Sequence, residues 1–300
     1  MELAIQVRGS YPEVTRAARW AESEGLAGIA LPDHYLAGAD ASLPAYDHLI
    51  HFAALARDTG SLELVDLVSP ITFRHPAVYA KTAVTLAEIS GGRFVLGLGT
   101  GWLEEEHRLF GFDFPSQAIR FEMLEEALAY VRAFSSGEEF VGQHFHLKAF
   151  SSSPRPPFKI VVGGSGEQRT PRLAGMYADE FNLFPSRDGD LEGRVATCRQ
   201  AATDAGRNPS HVRLSYTTPV FAGSDEAGYR QLIESEAAER GRTVEQLESR
   251  LAERHIPFGW GKQLAECLEP VRTAGVTRLY LQVGTTEVEQ IDTAVAPFRT

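Results

Sequence analysis

Short apolar runs alternate along the chain with longer stretches in which apolar residues recur every three to four positions. Leu3-Ala4-Ile5-Gln6-Val7 predicts a strand, and residues 12–24 predict a helix closed by Gly25. The pattern repeats: strands at 28–32, 62–68, 94–99, 159–162 and 180–184 precede helices at 46–59, 76–88, 121–134, 168–177 and 191–205. Pro76 suits the first turn of its helix, where its missing N–H is not needed. Residues 212–221 and 278–283 supply a seventh and an eighth strand, each with helical sequence beside it. Strand–helix alternation of this kind means βαβ crossovers and a parallel sheet, an α/β fold. Eight units favour a closed (β/α)8 TIM barrel over an open doubly wound sheet, although the pattern alone leaves both open.

Two stretches break the rhythm. Residues 135–157 hold glycines, a Ser/Pro run and a hairpin candidate at Phe140-Val141-Gly142-Gln143-His144-Phe145. Residues 223–261 are long, charged and helical. Strand–helix units continue on both sides of each, so both read as insertions into one domain spanning 1–300 rather than as linkers.

Composition narrows the partners. The chain has 43% hydrophobic and 23% charged residues, enough to bury a sizeable core. Its net charge of −11 argues against nucleic acid or an anionic membrane, both of which need a basic surface. A local basic pocket is still compatible with it. Two cysteines, Cys198 and Cys267, make neither a disulfide framework nor a metal spacing, which predicts a reducing cytoplasm. The stretch 1–7 lacks a basic segment followed by an apolar one, so no export signal is expected, and no apolar run is long enough to span a bilayer.

Four segments hold candidate chemistry, all at predicted strand ends, where barrel enzymes carry their sites. Asp33-His34 follows the second strand; a histidine here suits a donor to a carbonyl or an acid–base group, while a cap at Asp33 and a packed His34 is an equal alternative. Val68-Ser69-Pro70-Ile71-Thr72-Phe73-Arg74-His75-Pro76 follows the third and taken alone reads as a plain strand-to-helix loop with two turn prolines, although Arg74 suits a phosphate or an internal carboxylate. Gly97-Leu98-Gly99-Thr100-Gly101 closes the fourth strand, where glycines let backbone approach a ligand; a methyltransferase-type nucleotide turn looks similar but belongs after a first strand. Gly163-Gly164-Ser165-Gly166 closes the fifth and leads into a helix, which suits a phosphate at the helix N-terminus, with Arg169 and Arg172 close by. His144-x-His146 has no third ligand near in sequence and reads as hairpin packing. Trp20 reads as core, and Glu104-Glu105-Glu106 as a solvated helix face with Glu106 as an exception.

Taken in order, these segments resemble a known family. Leu67-Val68-Ser69-Pro70-Ile71-Thr72-Phe73-Arg74-His75-Pro76, then Ile89-Ser90-Gly91-Gly92-Arg93 and Leu96-Gly97-Leu98-Gly99-Thr100-Gly101-Trp102, look like the luciferase-like oxidoreductases. Ile160-Val161-Val162-Gly163-Gly164-Ser165-Gly166 and Tyr177-Ala178-Asp179-Glu180-Phe181-Asn182 continue the match, which runs from about residue 3 to 285. Pro32-Asp33-His34, Arg74-His75-Pro76 and Gly101-Trp102 with Glu106-His107 resemble the branch that uses the deazaflavin coenzyme F420, with FMN as the alternative cofactor.

The resemblance implies a cofactor ring across the C-terminal mouth of the barrel, with its phosphate tail at Gly163, Gly164, Ser165 and Gly166. It places His34 beside ring and substrate as the catalytic residue, and Asp33, Asp66, Leu67, Ser69, Gly99, Gly101, Trp102 and Glu106 around the cofactor. It also implies a homodimer acting on a small molecule, and a non-prolyl cis peptide between Asp66 and Leu67, bulging against the ring. Asp66 between apolar neighbours is odd for a plain strand and favours a special backbone or a polar contact to the cofactor; the alternative is an ordinary trans strand in which Asp66 is a buried acid that needs a partner. Sugar-phosphate dehydrogenases of the branch carry an acid where this chain has Trp102, so an apolar or aromatic substrate is expected here. Three classes stay open: an F420-dependent oxidoreductase, an FMN-dependent monooxygenase, and a flavin-binding relative without turnover. The loops at 36–43 and 184–189 hold the substrate information and are not legible.

Overall fold

The computed structural model describes residues 1–37, 44–150, 157–186 and 189–299. The loops at 36–43 and 184–189 and the insertion at 135–157 therefore lie partly outside the described residues. Eight strands form the barrel: β1 (Glu2–Gln6), β2 (Gly28–Leu31), β3 (Glu63–Asp66), β4 (Phe94–Gly99), β5 (Lys159–Gly164), β6 (Glu180–Leu183), β7 (Arg213–Pro219) and β8 (Arg278–Gln282). Each pairs in parallel with the next, and β1 pairs with β8, so the sheet closes. The expected TIM barrel is the observed fold.

The helices follow their local signals. Asp47 caps α2 (His48–Asp58) by accepting from the Leu49 amide at 2.9 Å, so this helix starts later than the apolar pattern alone implied. Between Ser116, whose side chain caps the start, and Gly137 in the left-handed region at φ +81°, α5 (Gln117–Ser136) outruns its predicted bounds. The acidic segment after β4 forms its own short helix, Glu104–Phe110.

The two ends of the barrel differ in chemistry. At the N-terminal end the first residues of the strands form an ionic plug. Arg278, buried, meets Glu2 at 2.7 Å and Glu180 at 3.8 Å and also pairs with Glu63, which takes Lys159 at 2.6 Å. The carboxyl end carries instead the glycine-rich strand ends, the usual place for a site in this fold.

Strand three departs from its predicted span. β3 stops at Asp66, and a separate two-residue pairing, Ser69–Pro70, resumes against Leu98 and Gly99. The non-prolyl cis peptide lies between Leu67 and Val68, one residue later than expected. The ladder explains the offset. Leu67 N–H still donates to the Leu31 carbonyl at 3.0 Å, so regular pairing with β2 holds through that amide and breaks only after it.

The glycines of β4 fit this displaced backbone. A Cβ at Gly97 would stand 1.8 Å from the Asp66 carbonyl oxygen and 2.9 Å from Val68 Cγ1. One at Gly99 would stand 2.8 Å from Val68 Cγ2, and one at Gly163 3.1 Å from Val68 Cγ1. Their absent side chains thus make room for the end of strand three, with Val68 seated over both neighbouring strands.

The second insertion is a compact βααβ unit. Phe221–Gly223 pairs in parallel with Phe258–Trp260, enclosing α8 (Glu226–Glu239) and α9 (Val244–Glu253). Its apolar cluster, including Ile233, Leu247, Leu251 and Ile256, is separate from the barrel core. In the first insertion Phe140–Val141 pairs with His146–Leu147, and the Glu126 carboxylate accepts from the Gln143 and His144 amides at 2.7 Å each.

Gly97→Ala is expected to destabilise the protein by at least about 3 kcal/mol, because backbone rather than a mobile side chain blocks the new methyl group. Gly60→Ala, with only Glu22 Oε1 at 3.9 Å, serves as the control and should leave chemical denaturation nearly unchanged. Equal stability of the two variants would contradict this packing.

A candidate active site at the carboxyl end of the barrel

Beneath the mouth runs a buried line of charge. His48, the first residue of α2, lies between two aspartates: its Nε2 is 3.0 Å from Asp66 Oδ1, and its Nδ1 is 3.2 Å from Asp33 Oδ1. The second approach is an ion-pair contact that misses hydrogen-bond direction. Asp66 Oδ2 also accepts from the Ser69 hydroxyl at 2.8 Å and the Gly97 amide at 3.3 Å. Asp33 is further paired with Arg74, which reaches Asp47 at 3.0 Å and lies over the Tyr35 and Tyr79 rings.

Desolvation and charge oppose each other along this line. Burial alone would push the His48 imidazole down, but the two carboxylates outweigh it and hold its pKa up at about 10. For Asp33 burial pushes up, and His48 with Arg74 outweighs it, holding the carboxyl below its ordinary range. For Asp66 burial prevails over His48 and the carboxyl is pushed up. His48 is therefore a buried imidazolium at neutral pH.

Above this line, His34 follows β2 and is held by the short helix after β4. Its Nδ1 is 2.9 Å from Glu106 Oε1, while Glu106 Oε2 accepts from the Tyr35 and Leu36 amides at 3.0 and 3.3 Å. Glu106, only 1% exposed, thus fixes both the ring and the backbone carrying it. Trp102 is 69% exposed and packs edge-on to His34 at 5.8 Å, a large apolar plate left open to a ligand. His107 next to Glu106 is structural: it contacts Leu103 O at 2.8 Å and Thr72 Oγ1 at 2.7 Å and packs on Phe73 and Phe114.

The third component is the turn after β5. Gly163 through Gly166 lead to α6 (Arg169–Tyr177), whose N-terminus at Gln168 has no side-chain cap. Ser165 is exposed, and a Cβ at Gly166 would stand 2.7 Å from Thr170 Oγ1. Arg194, fully buried, donates to Gly164 O at 2.6 Å and Phe184 O at 2.9 Å, tying this turn to the loop after β6. On that loop Ser186 Oγ is buried with no hydrogen-bond partner among the described residues.

The family described as luciferase-like monooxygenase matches residues 3–293. The chain belongs to that family. It is 31% identical over 273 residues to a phthiodiolone/phenolphthiodiolone dimycocerosates ketoreductase of Mycobacterium sp. (strain JLS), covering 83% of this chain and 70% of the relative. It is 32% identical over 199 residues to an F420-dependent glucose-6-phosphate dehydrogenase of Microbacterium testaceum, covering 64% of this chain but 59% of that enzyme. Among solved structures, an F420-dependent secondary alcohol dehydrogenase in complex with an F420-acetone adduct superposes with a TM-score of 0.82 at 18% identity, covering 100% of this chain and 99% of that one. At that identity the likeness speaks for the fold.

Within this luciferase-like barrel the residues singled out in the sequence fall into three roles. His34, Trp102 and Glu106 come together. The Asp33 and Asp66 carboxyls and the Ser69 hydroxyl are buried and engaged with protein partners, so the buried-acid reading of Asp66 holds. The space a side chain at Gly99 would fill is taken by Val68, and Gly101, at φ +75°, sits in the turn beside Pro70 and Thr72. Of Arg74's two expected partners the structure has the internal carboxylate. Arg172 is turned away from the glycine turn, pairing with Glu125 at 2.6 Å. His48 was missed: a single histidine opening a helix gives no signal until folding brings Asp33 and Asp66 to it.

The His48 ion pairs carry a pH signature. Because the folded imidazole is held up at about 10 against an ordinary value near 6.5, its contribution is complete below about pH 6.5 and disappears as pH rises through about 10. His48→Leu should cost about 3–5 kcal/mol at pH 6.5 in urea denaturation, and the gap to wild type should narrow toward pH 10. A gap independent of pH would contradict the charged state.

Proposed function

We propose that the protein is an oxidoreductase transferring hydride between coenzyme F420 and a small organic substrate. The observation that carries this reading is the juxtaposition, at one barrel end, of a Glu106-held His34 and an uncapped glycine turn. The F420-dependent relatives supply the cofactor.

The residues present fit such a group. The turn 163–166 offers backbone N–H groups at a helix N-terminus with no competing side-chain cap, which suits a phosphate, and the unpartnered Ser186 hydroxyl adds a donor on the tied loop. Val68, seated on the glycines of β4 and β5, supplies an apolar wall for a flat ring. F420, when bound, supplies a ring carbon that accepts or gives hydride.

The chain's own part is positioning and proton handling. With Nδ1–H of His34 donated to the Glu106 carboxylate, the proton-exchanging atom is Nε2. That nitrogen takes the proton of an alcohol during oxidation, or gives one to a carbonyl oxygen during reduction. Trp102, edge-on to His34, offers an exposed apolar face against which the substrate can pack. Asp33, His48 and Asp66 act beneath, fixing the ends of β2 and β3. The same reading assigns one cytoplasmic domain assembled as a homodimer, which light scattering at micromolar protein checks.

Two variants test these roles. His34→Ala should lower kcat by roughly 10²-fold or more while melting changes little; retained turnover with a sharp fall in melting would make His34 a packing residue. Gly164→Val, whose Cβ already meets Thr170 at 3.2 Å, should weaken F420 binding in a folded protein; unchanged affinity would remove the phosphate from this turn.

A further inference from the structure

One cavity outside the His34 site has unusual chemistry for an acidic protein. It is an open cleft of about 450 Å³ between the βααβ insertion and the barrel, lined by Arg242, Arg250 and Arg254 together with Pro185, Pro219 and Gln282. No carboxylate is among the residues lining it. Arg240 at its edge is already engaged by Glu236 and lies over Phe221. The other three are not neutralised: Arg242, Arg250 and Arg254 form no ion pair among the described residues. Arg254 gives one N–H to the Pro185 carbonyl at 3.2 Å, and its Nε is buried with no partner. Other exposed arginines have acids beside them, as in Arg108–Glu105 and Arg230–Glu226.

The location connects this basic cavity to the chemistry. Pro219 and Gln282 end β7 and β8, and Pro185 follows β6, so the cavity opens at the carboxyl end of the barrel, the same end as His34. Gln282 donates to Gln6 Oε1 at 2.6 Å, and Gln6 donates to the Leu67 carbonyl at 2.8 Å. A chain of two hydrogen bonds therefore runs from the cavity floor to the displaced end of strand three.

We propose that this cavity binds an anionic group, carboxylate or phosphate, carried by the substrate at a distance from its reacting carbon. The assignment deepens the F420 reading and rests on it. Guanidinium forks match both oxyanions, and apolar walls such as Phe184, Leu247 and Ile256 lower the local dielectric and strengthen the attraction. The insertion supplies all three arginines, so it acts as a substrate-recognition element added to a common barrel. A substrate satisfying both ends has an anion in the cavity and an apolar reacting end under Trp102.

The test uses the full chain with citrate and inorganic pyrophosphate as probes, by calorimetry at about 150 mM salt, where the Debye length is about 8 Å. Wild type should bind a probe saturably, and Arg242→Gln/Arg250→Gln should bind it about tenfold more weakly or worse, with F420 affinity by fluorescence unchanged. Absence of saturable binding by wild type, or equal binding by the variant, overturns the proposal. A parallel loss of F420 affinity in the variant also overturns it, because the cavity then serves an acidic part of the cofactor. Failure of F420 to bind wild type sinks the function reading instead, while the probe result still decides the anion site. Should the double variant fail to fold, Arg250→Gln alone, at an exposed position, takes its place.

Discussion

Asp66 is held from two directions, and the site is built on that seating. Its carboxylate lies against the His48 imidazolium, the Ser69 hydroxyl and the Gly97 amide, while its carbonyl occupies the space that a side chain at residue 97 would fill. A buried carboxylate without partners would cost several kcal/mol, so the imidazolium and the glycine are both required for the chain to pass here. Because the strand is fixed at Asp66, the next residues step out of the ladder and bring Val68 over Gly99 and Gly163. The wall proposed for the cofactor is a direct result.

The same charge line organises the adjacent end of β2. Asp33, engaged by His48 and Arg74, immediately precedes His34, so the residue that presents the imidazole is anchored below by an ion pair and above by Glu106. The placement of His34 in this arrangement depends on the ion pairs of the residue before it. The ionic plug at the far end of the barrel adds a second constraint, joining the starts of six strands.

Much of this was legible in the sequence, and the limits have physical causes. Alternating periodicity gave eight strands because each is buried on both faces and each helix on one. Helix bounds at 47 and 116 depended on caps that periodicity does not see. Glycines at 97 and 99 correctly signalled a close approach, but a glycine cannot say what approaches; here it is the neighbouring strand. His34 and Glu106 were visible through an ordered set of motifs, whereas His48 acquires its meaning only by sitting 18 residues from Asp66 in sequence and 3.0 Å in space. The arginines of the insertion read as one charged helical stretch, since acid pairing is decided by which helix faces turn toward the barrel.

The central claim is the identity of the hydride carrier that this end of the barrel holds, and one titration addresses it most directly. Purified protein is titrated separately with F420 and with FMN, following the fluorescence of each. The account predicts saturable F420 binding at micromolar concentration, with FMN bound far more weakly or not at all. Micromolar FMN binding with no response to F420 would contradict it and move the protein to the flavin-dependent monooxygenases of the same fold.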